Sequence, residues 1–119
     1  MRFYIFLFVI ALASSSFSAD CDCTIFPFKP DPPCFDVCTA KHLAIAAAED
    51  LTTIARIDQN IAKAIARIPE DQRPPSLEGY RLFLTEKKFQ DLKKALLQLS
   101  GKDFEQIRQK AAKRGKGIY

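Results

Sequence analysis

The chain has 119 residues and a formal net charge of +4, with 18 Lys and Arg against 14 Asp and Glu. This length predicts one small domain, and so mild a basic excess does not require a nucleic-acid partner. The chain contains no G-x-S-x-G, H-E-x-x-H, P-loop or G-x-G-x-x-G motif, and one histidine with scattered carboxylates offers no catalytic pair by spacing. We therefore expect a protein that is not an enzyme and needs no cofactor.

The first residues, MRFYIFLFVIALASSSFSA, have the order of a secretory signal peptide. Arg2 supplies the positive charge, residues 3–13 the apolar run and residues 14–19 the small side chains. The run is shorter than the ~20 residues that a membrane-spanning helix needs. Small residues allow cleavage after Ala13 or Ser18, and we favour Ser18; an uncleaved anchor is the alternative.

Three segments follow from this assignment: a signal peptide at 1–18, a Pro/Cys-rich arm at 19–38, and a helical domain with a basic tail at 39–119. The chain is then exported, either to a periplasm or to the outside of the cell. Loss of Arg2 with the signal leaves 17 basic against 14 acidic residues, a net charge of +3.

All four cysteines lie in the arm, as Cys21, Cys23, Cys34 and Cys38. Outside the cytosol, four cysteines in a short chain indicate two disulfides. A bridge between the first two would close a strained ring, and a bridge across one helical turn has poor geometry. Cross-pairing remains, either 21–34 with 23–38 or 21–38 with 23–34. Each bridge contributes about 3 kcal/mol in the chain-entropy model.

A metal or redox centre is the alternative use of the same residues. Cys34, Cys38 and His42 recur every four residues, so a helix presents them as one stripe. Together with Cys21 or Cys23 they would complete a tetrahedral zinc site, although this spacing is not one of the usual zinc-finger spacings. Without a metal, we expect His42 to be a surface or partly buried helix residue.

Residues 39–68 show helical periodicity, with no Gly or Pro. The apolar stripe that we expect in the core contains Leu43, Ala47, Leu51, Ile54, Ile57, Ile61, Ile65 and Ile68. The pattern allows one long helix, but we favour a break at 56–58. Asp58 would then cap a second helix at 59–67.

Residues 51–65, LTTIARIDQNIAKAI, resemble the helix-hairpin-helix motif. The residues at its apolar and small positions are Leu51, Ile54, Ile57, Ala62 and Ile65. Arg56 and Asp58 replace the two hairpin glycines, which in that family let backbone amides approach a DNA phosphate. Residues 76–96 loosely resemble the second repeat of exported competence-type DNA-binding proteins. The resemblance implies a helical hairpin and, as an alternative function, nucleic-acid binding.

A polar, proline-rich loop at 69–75 divides the chain into two helical halves. Beyond it, Ser76 and Thr85 are candidate N-caps, the second for a helix at 86–99. Ser100 with Asp103 predicts a capping box for a last helix. The apolar faces of these last two helices contain Phe89, Leu92, Leu96, Leu99, Phe104, Ile107 and Ala111.

Basic residues cluster on the penultimate helix and in the tail. They are Lys87, Lys88, Lys93 and Lys94 on the helix, and Lys113, Arg114 and Lys116 in the tail. We expect the tail to fray in solvent. These residues are the candidate contacts for an anionic partner, either nucleic acid or lipid.

Together these patterns predict an all-α protein, a small bundle of four or five short helices with an extended, disulfide-stapled N-terminal arm. The favoured function is a small exported, non-catalytic binding or structural module whose partner is a protein. The alternatives are an exported helix-hairpin-helix-like nucleic-acid binder, and a metal-binding or redox protein built on the Cys/His set.

Overall fold

A computed structural model describes residues 21–30 and 33–117. The described chain forms five α-helices, which we number in chain order as α1 Phe35–Ile45, α2 Ala48–Thr53, α3 Gln59–Ala66, α4 Glu86–Leu97 and α5 Gly101–Lys113. Two short 3-10 helices, Glu70–Gln72 and Leu77–Leu82, join α3 to α4. No β-strand occurs in these ranges, and the predicted all-α class is confirmed. The predicted signal peptide at 1–18 lies outside the described residues.

Three of the four predicted helix caps are present. Asp58 accepts a hydrogen bond of 2.9 Å from the main chain of α3, and Thr85 accepts one of 3.3 Å from the main chain of α4. Ser100 and Asp103 form a reciprocal capping box at the start of α5. The prediction for Ser76 is wrong, because its side chain makes no capping bond and a 3-10 helix follows it.

The chain breaks where predicted, between α2 and α3, and also at Ala46 and Ala47, where no break was expected. Both alanines are extended, and Ala47 is half-buried at the start of α2 rather than in the core. Two distant arginines stabilise the chain at this break. They bind carbonyls at the end of α1, which have no hydrogen-bond partner within the helix. Arg73 and Arg114 donate to main-chain carbonyls at Leu43, Ala44, Ile45 and Ala46.

The basic tail is ordered as far as residue 117, and the expectation that it frays is wrong there. Arg114 forms a 3.0 Å ion pair with the buried carboxylate of Asp50. Lys116 pairs with Glu70 in the first 3-10 helix. These ion pairs hold the tail against α2 and the loop that follows α3.

The core is one apolar cluster that draws on every helix except the short one at 70–72. Its largest buried side chains are Tyr80, Phe89, Phe104, Leu43, Leu51, Ile61, Ile65, Leu77, Leu92 and Ile107. A smaller cluster contains the disulfides, and Phe28 packs against both clusters. Within the described ranges, no helix has the length and apolar character needed to cross a membrane.

Candidate interaction surface

Two disulfides fix the N-terminal arm, residues 21–30, to the first turn of α1. Cys21 pairs with Cys34 and Cys23 with Cys38, with Cα–Cα distances of 5.6 and 5.1 Å. The structure therefore selects one of the two predicted pairings. Cys23, Cys34 and Cys38 are buried, so the second bridge lies inside the fold and the first lies at its edge.

Aromatic rings continue this attachment from the arm to α5. Phe28 lies with its ring centroid 5.4 Å from that of Phe26 and 5.0 Å from that of Phe104. The ring of His42 lies 4.8 Å from Phe104 and 6.2 Å from Phe28. These distances are those of favourable aromatic pairs, so the arm packs across α1 and α5 together.

Gly101 allows the arm to approach the start of α5. A Cβ atom placed on Gly101 would lie 3.1 Å from the Cβ of Phe26 and 3.3 Å from the first atom of its ring. These separations are tighter than ordinary van der Waals contact. A side chain at position 101 would therefore require Phe26 to shift by a few tenths of an ångström.

His42 is buried, with 1% of its surface exposed, and the prediction of a surface or partly buried residue is wrong. Its Nδ1 lies 2.7 Å from the Cys38 carbonyl, and its Nε2 lies 3.0 Å from Arg108, which also donates to the Cys23 carbonyl at 3.2 Å. A guanidinium only donates, so Nε2 accepts and Nδ1–H donates to the carbonyl. The imidazole is neutral. Arg108 connects the arm to α1, because it contacts both the Cys23 carbonyl and His42.

Burial is the main reason that the pKa of His42 falls to about 4, and the charge of Arg108 also lowers it. The hydrogen bond to the Cys38 carbonyl acts in the opposite direction. Protonation would place an imidazolium against the Arg108 guanidinium in a site with little water. Near neutral pH the ring therefore serves as an uncharged acceptor that positions Arg108.

The structure does not assemble the zinc site suggested by the sequence. The four cysteines are oxidised in disulfides, and both nitrogens of His42 have protein partners. Within the described ranges, no group of three or more His, Cys, Asp or Glu side chains is arranged to hold a metal ion. The cysteines hold the arm in place in this structure.

An apolar groove lies between the arm, the start of α1 and the end of α4, and we call it the arm groove. Its volume is about 230 Å³, and its lining consists of Phe26, Pro27, Phe28, Phe35, Leu96, Leu97 and Leu99. Pro27 also lines an adjoining cavity of about 260 Å³, with Asp22, Ile25 and Lys29. Phe26 is 46% exposed, and Ile25 and Leu97 are both 62% exposed.

The chemistry of the arm groove suits contact rather than reaction. Its lining side chains are hydrocarbon or aromatic and supply no nucleophile, general acid or general base. Asp22, in the adjoining cavity, has its pKa lowered by hydrogen bonds from the side chain and main chain of Thr24. Asp22 is therefore a carboxylate at neutral pH, without a proton to donate.

The structure divides the predicted basic residues into two groups. Lys87, Lys88, Lys93 and Lys94 lie along α4, and Lys87 is 3.4 Å from Asp91. In the tail, Lys113 is exposed, whereas Arg114 and Lys116 are held in the ion pairs with Asp50 and Glu70. The four lysines are spread around the exposed side of α4, with Glu86 and Asp91 among them.

The segment that resembles a helix-hairpin-helix forms two short packed helices, α2 and α3. Arg56 has a φ of 56°, so it adopts the left-handed conformation at one of the two positions where the motif has glycine. Its side chain lies 3.6 Å from Asp103 of α5. The Asp58 carboxylate accepts a hydrogen bond from the Asn60 amide at the N-terminus of α3, so this amide already has a partner within the chain.

Sequence reasoning missed the exposed apolar residues of the groove and the Arg108–His42 contact. One available signal was Leu97, an apolar residue outside the stripe Phe89, Leu92, Leu96. A second was the arm sequence TIFPF, whose large apolar side chains exceed what a short arm can bury. No local pattern marks Arg108, because its partners lie 66 and 85 residues away.

Comparison of the chain with protein-family models, curated proteins and solved structures finds no match. The proposal for its function therefore depends on the geometry of the arm and its groove. That geometry combines a fixed backbone, exposed apolar side chains and lysines on the neighbouring helix.

Proposed function

We propose that the protein is a small exported, non-catalytic binding module, that its partner is a protein, and that the arm groove is the contact surface. The observation that carries this proposal is the exposure of Ile25, Phe26 and Leu97 around an apolar groove whose backbone is held by two disulfides. Large apolar side chains clustered at a surface mark sites of association. A rigid backbone lowers the entropic cost of binding.

The size of the groove favours an inserted side chain over a small-molecule ligand. Drug-sized ligands occupy pockets of roughly 300–1,000 Å³, and the groove and its neighbour measure about 230 and 260 Å³. A dry cavity of about 150 Å³ accommodates one benzene ring. One Leu or Phe side chain from a partner would therefore fit the arm groove.

The proposed location is outside the cytosol, in a periplasm or secreted. The disulfides are consistent with an oxidising, exported environment. The signal-peptide pattern at 1–18 also favours export. A module of this kind meets its partner outside the membrane that it crossed during export.

Nucleic-acid binding remains the second candidate, favoured by the α2–α3 hairpin with its left-handed Arg56. Its phosphate contacts would come from the lysines of α4 and from Lys113. Arg114 and Lys116 are engaged within the fold, which reduces the charge available to DNA. Binding to duplex DNA that weakens steeply with salt would support this candidate. The metal candidate requires thiolates, which are absent while both disulfides are formed. The redox candidate requires that one of these disulfides be reduced.

A photo-crosslinking amino acid placed at position 97 or at position 82 tests the contact surface. Leu82 is the matched control, because it is also an exposed leucine, at 86%, but lies outside the arm groove. In the cells that export the protein, we expect a discrete protein adduct from position 97 and none from position 82. Equal adducts from both positions, or none from either, would contradict the proposal.

A further inference from the structure

The surroundings of the arm groove are basic. Lys93 and Lys94 precede the exposed Leu97 by four and three residues, so all three share one side of α4. Lys29 lines the adjoining cavity, and Lys102 follows Gly101, the residue against which Phe26 packs. Across the residues that the structure describes, none of these four lysines forms an ion pair with a carboxylate.

Two carboxylates lie on the arm side of the same surface. Asp22 lines the cavity that adjoins the groove, and Asp36 follows the groove residue Phe35. The hydrogen bonds of Asp22 go to Thr24 within the arm. Asp103, which follows Lys102, is paired with Arg56. Among the described residues, the four lysines named above therefore outnumber Asp22 and Asp36, the two nearby carboxylates without an ion pair.

The opposite end of α4 differs. There Lys87 is paired with Asp91, and Arg81 is paired with Glu78 and Glu86. The exposed Leu82 and Phe83 therefore lie beside a neutralised patch, whereas the exposed Leu97 lies beside unpaired lysines. Charge and exposed apolar surface coincide at the arm groove.

We infer that the arm groove takes an acidic segment of a partner protein, in which a Leu- or Phe-like side chain enters the groove and flanking Asp or Glu side chains face the lysines. This inference rests on the proposed function and names the chemistry of the partner. The apolar anchor supplies most of the affinity, and the acidic flanks supply orientation and association rate. Lysine is suited to this rim, because its ammonium reaches several carboxylate positions from a flexible stem.

The magnitudes separate the two contributions. Loss of the exposed part of Leu97 from a buried contact should weaken binding about tenfold. Rim ion pairs are individually weak, so loss of both Lys93 and Lys94 should weaken binding about fivefold. The second effect should shrink as salt is added, because exposed charges are screened.

The test is selection of binders from a random-peptide phage library with the intact oxidised protein, followed by affinity measurement on the selected peptides. The variants are Leu97→Ser with Leu82→Ser as its control, and Lys93→Gln/Lys94→Gln with Lys87→Gln/Lys88→Gln as its control. Each control removes the same chemical groups from the region where α4 begins, either in the 3-10 helix before it or in its first turn. We expect peptides that combine Asp or Glu with Leu or Phe, weakened by the first variant of each pair only.

Other outcomes overturn the inference in distinguishable ways. Apolar peptides without acids, lost in Leu97→Ser but not in the lysine variant, would overturn it and leave the proposed function standing. Peptides insensitive to Leu97→Ser would remove both. Equal weakening by the two lysine variants would indicate attraction to α4 as a whole. Binding to phosphatidylglycerol vesicles that Leu97→Ser abolishes, with no peptide selected, would assign the groove to a membrane.

Discussion

The arm and the helical bundle are held by different kinds of interaction. In the bundle, α1 to α5 share one continuous apolar cluster with fully buried leucines, isoleucines and phenylalanines. In the arm, apolar contact is limited to the cystines and to Phe26 and Phe28 against Phe104. The other constraints are the two disulfides, the hydrogen bond from Arg108 to the Cys23 carbonyl and the one from the Cys34 amide to the Lys29 carbonyl. Covalent and polar constraints therefore supplement a small amount of hydrophobic burial.

This difference leaves apolar surface available on the arm. A segment ordered by burial has its large apolar side chains inside, whereas the arm keeps Ile25 and Phe26 exposed. Disulfides act largely by restricting the unfolded chain, so they order the arm without consuming its surface. The same residues can then contact a partner at little cost in conformational entropy.

The largest effect that we predict is in the bundle. Phe89→Ala removes a fully buried ring at the centre of the core, and Phe→Ala changes of this kind cost about 4 kcal/mol. Chemical denaturation followed by the helical signal should show this loss of stability in one transition of the whole bundle. Tyr80→Phe is the control, because Tyr80 is equally buried and its hydroxyl has no hydrogen-bond partner among the described residues. Its effect should be below ~1 kcal/mol, and a large loss would contradict the packing described.

The disulfides give the next effect and test whether the arm is a separate unit. Replacing Cys23 and Cys38 by Ala should cost about 3 kcal/mol, for a loop with a sequence separation of 15. Far-UV circular dichroism should remain helical at low temperature, because neither cysteine belongs to the main core cluster. The matched change at Cys21 and Cys34, a less buried bridge, should cost less. Loss of all helical signal in either variant would show that the bundle depends on the arm.

Acid should weaken the contact between the arm and α1 through His42. Its pKa is about 4 in the folded protein and about 6.5 in the unfolded chain, so the unfolded chain binds the proton first. The contribution of neutral His42 to the free energy of unfolding is therefore fully present above pH 6.5. It is lost as the pH falls through 4, by up to about 3 kcal/mol. His42→Gln keeps one donor and one acceptor but does not titrate. The stability difference between wild type and this variant should change with pH over this window, and a flat difference would contradict the assignment.

Local chemistry explains which parts of the fold were predictable from the sequence. The caps at Asp58, Thr85 and Ser100 were predictable because each acts on an amide within three residues. The predicted export signal led us to expect that all four cysteines are paired, but the choice between two cross-pairings was not predictable. That choice depends on how the arm crosses α1, which involves Phe26, Phe28 and Gly101 rather than the cysteine spacing.

The features that the sequence did not predict all depend on contacts between residues far apart in the chain. The end of α1 depends on Arg73, which is 29 and 30 residues from two of the carbonyls that it contacts. The ordered tail depends on Arg114, which is 64 residues from Asp50. The arm groove joins Phe26 to Leu97 across most of the chain. Periodicity and capping rules describe neighbours, so they cannot report which arginine reaches which carbonyl.

Replacing Arg73 tests whether a distant arginine determines the end of α1. Arg73→Met retains part of the aliphatic stem but leaves the carbonyls of Leu43 and Ala44 without this donor. Loss of hydrogen bonds from a charged donor should cost about 2 kcal/mol. Arg67→Met is the control, since Arg67 is exposed at the end of α3. Equal effects of the two substitutions on the free energy of unfolding would exclude a specific role for Arg73.

Of these substitutions, Gly101→Ala should change the free energy of unfolding least. Its effect should be confined to the arm. Alanine in place of glycine favours α5 by up to about 1 kcal/mol, and the contact with Phe26 at 3.1 Å opposes this gain. The net change in unfolding free energy should therefore stay within ~1 kcal/mol.

Hydrogen exchange would locate this change. We expect faster exchange of the hydrogen-bonded arm amides of Thr24 and Ile25 and unchanged exchange in α3 and α4, since the added Cβ displaces only the arm. Gln109→Ala, an exposed change in the same helix, should leave the arm as it is. Slow exchange retained throughout the Gly101→Ala arm would mean that Phe26 adjusts without moving its backbone. In that case the disulfides, Phe28 and Arg108 would fix the position of the arm without the contact at Gly101, and the groove would tolerate a side chain at its edge.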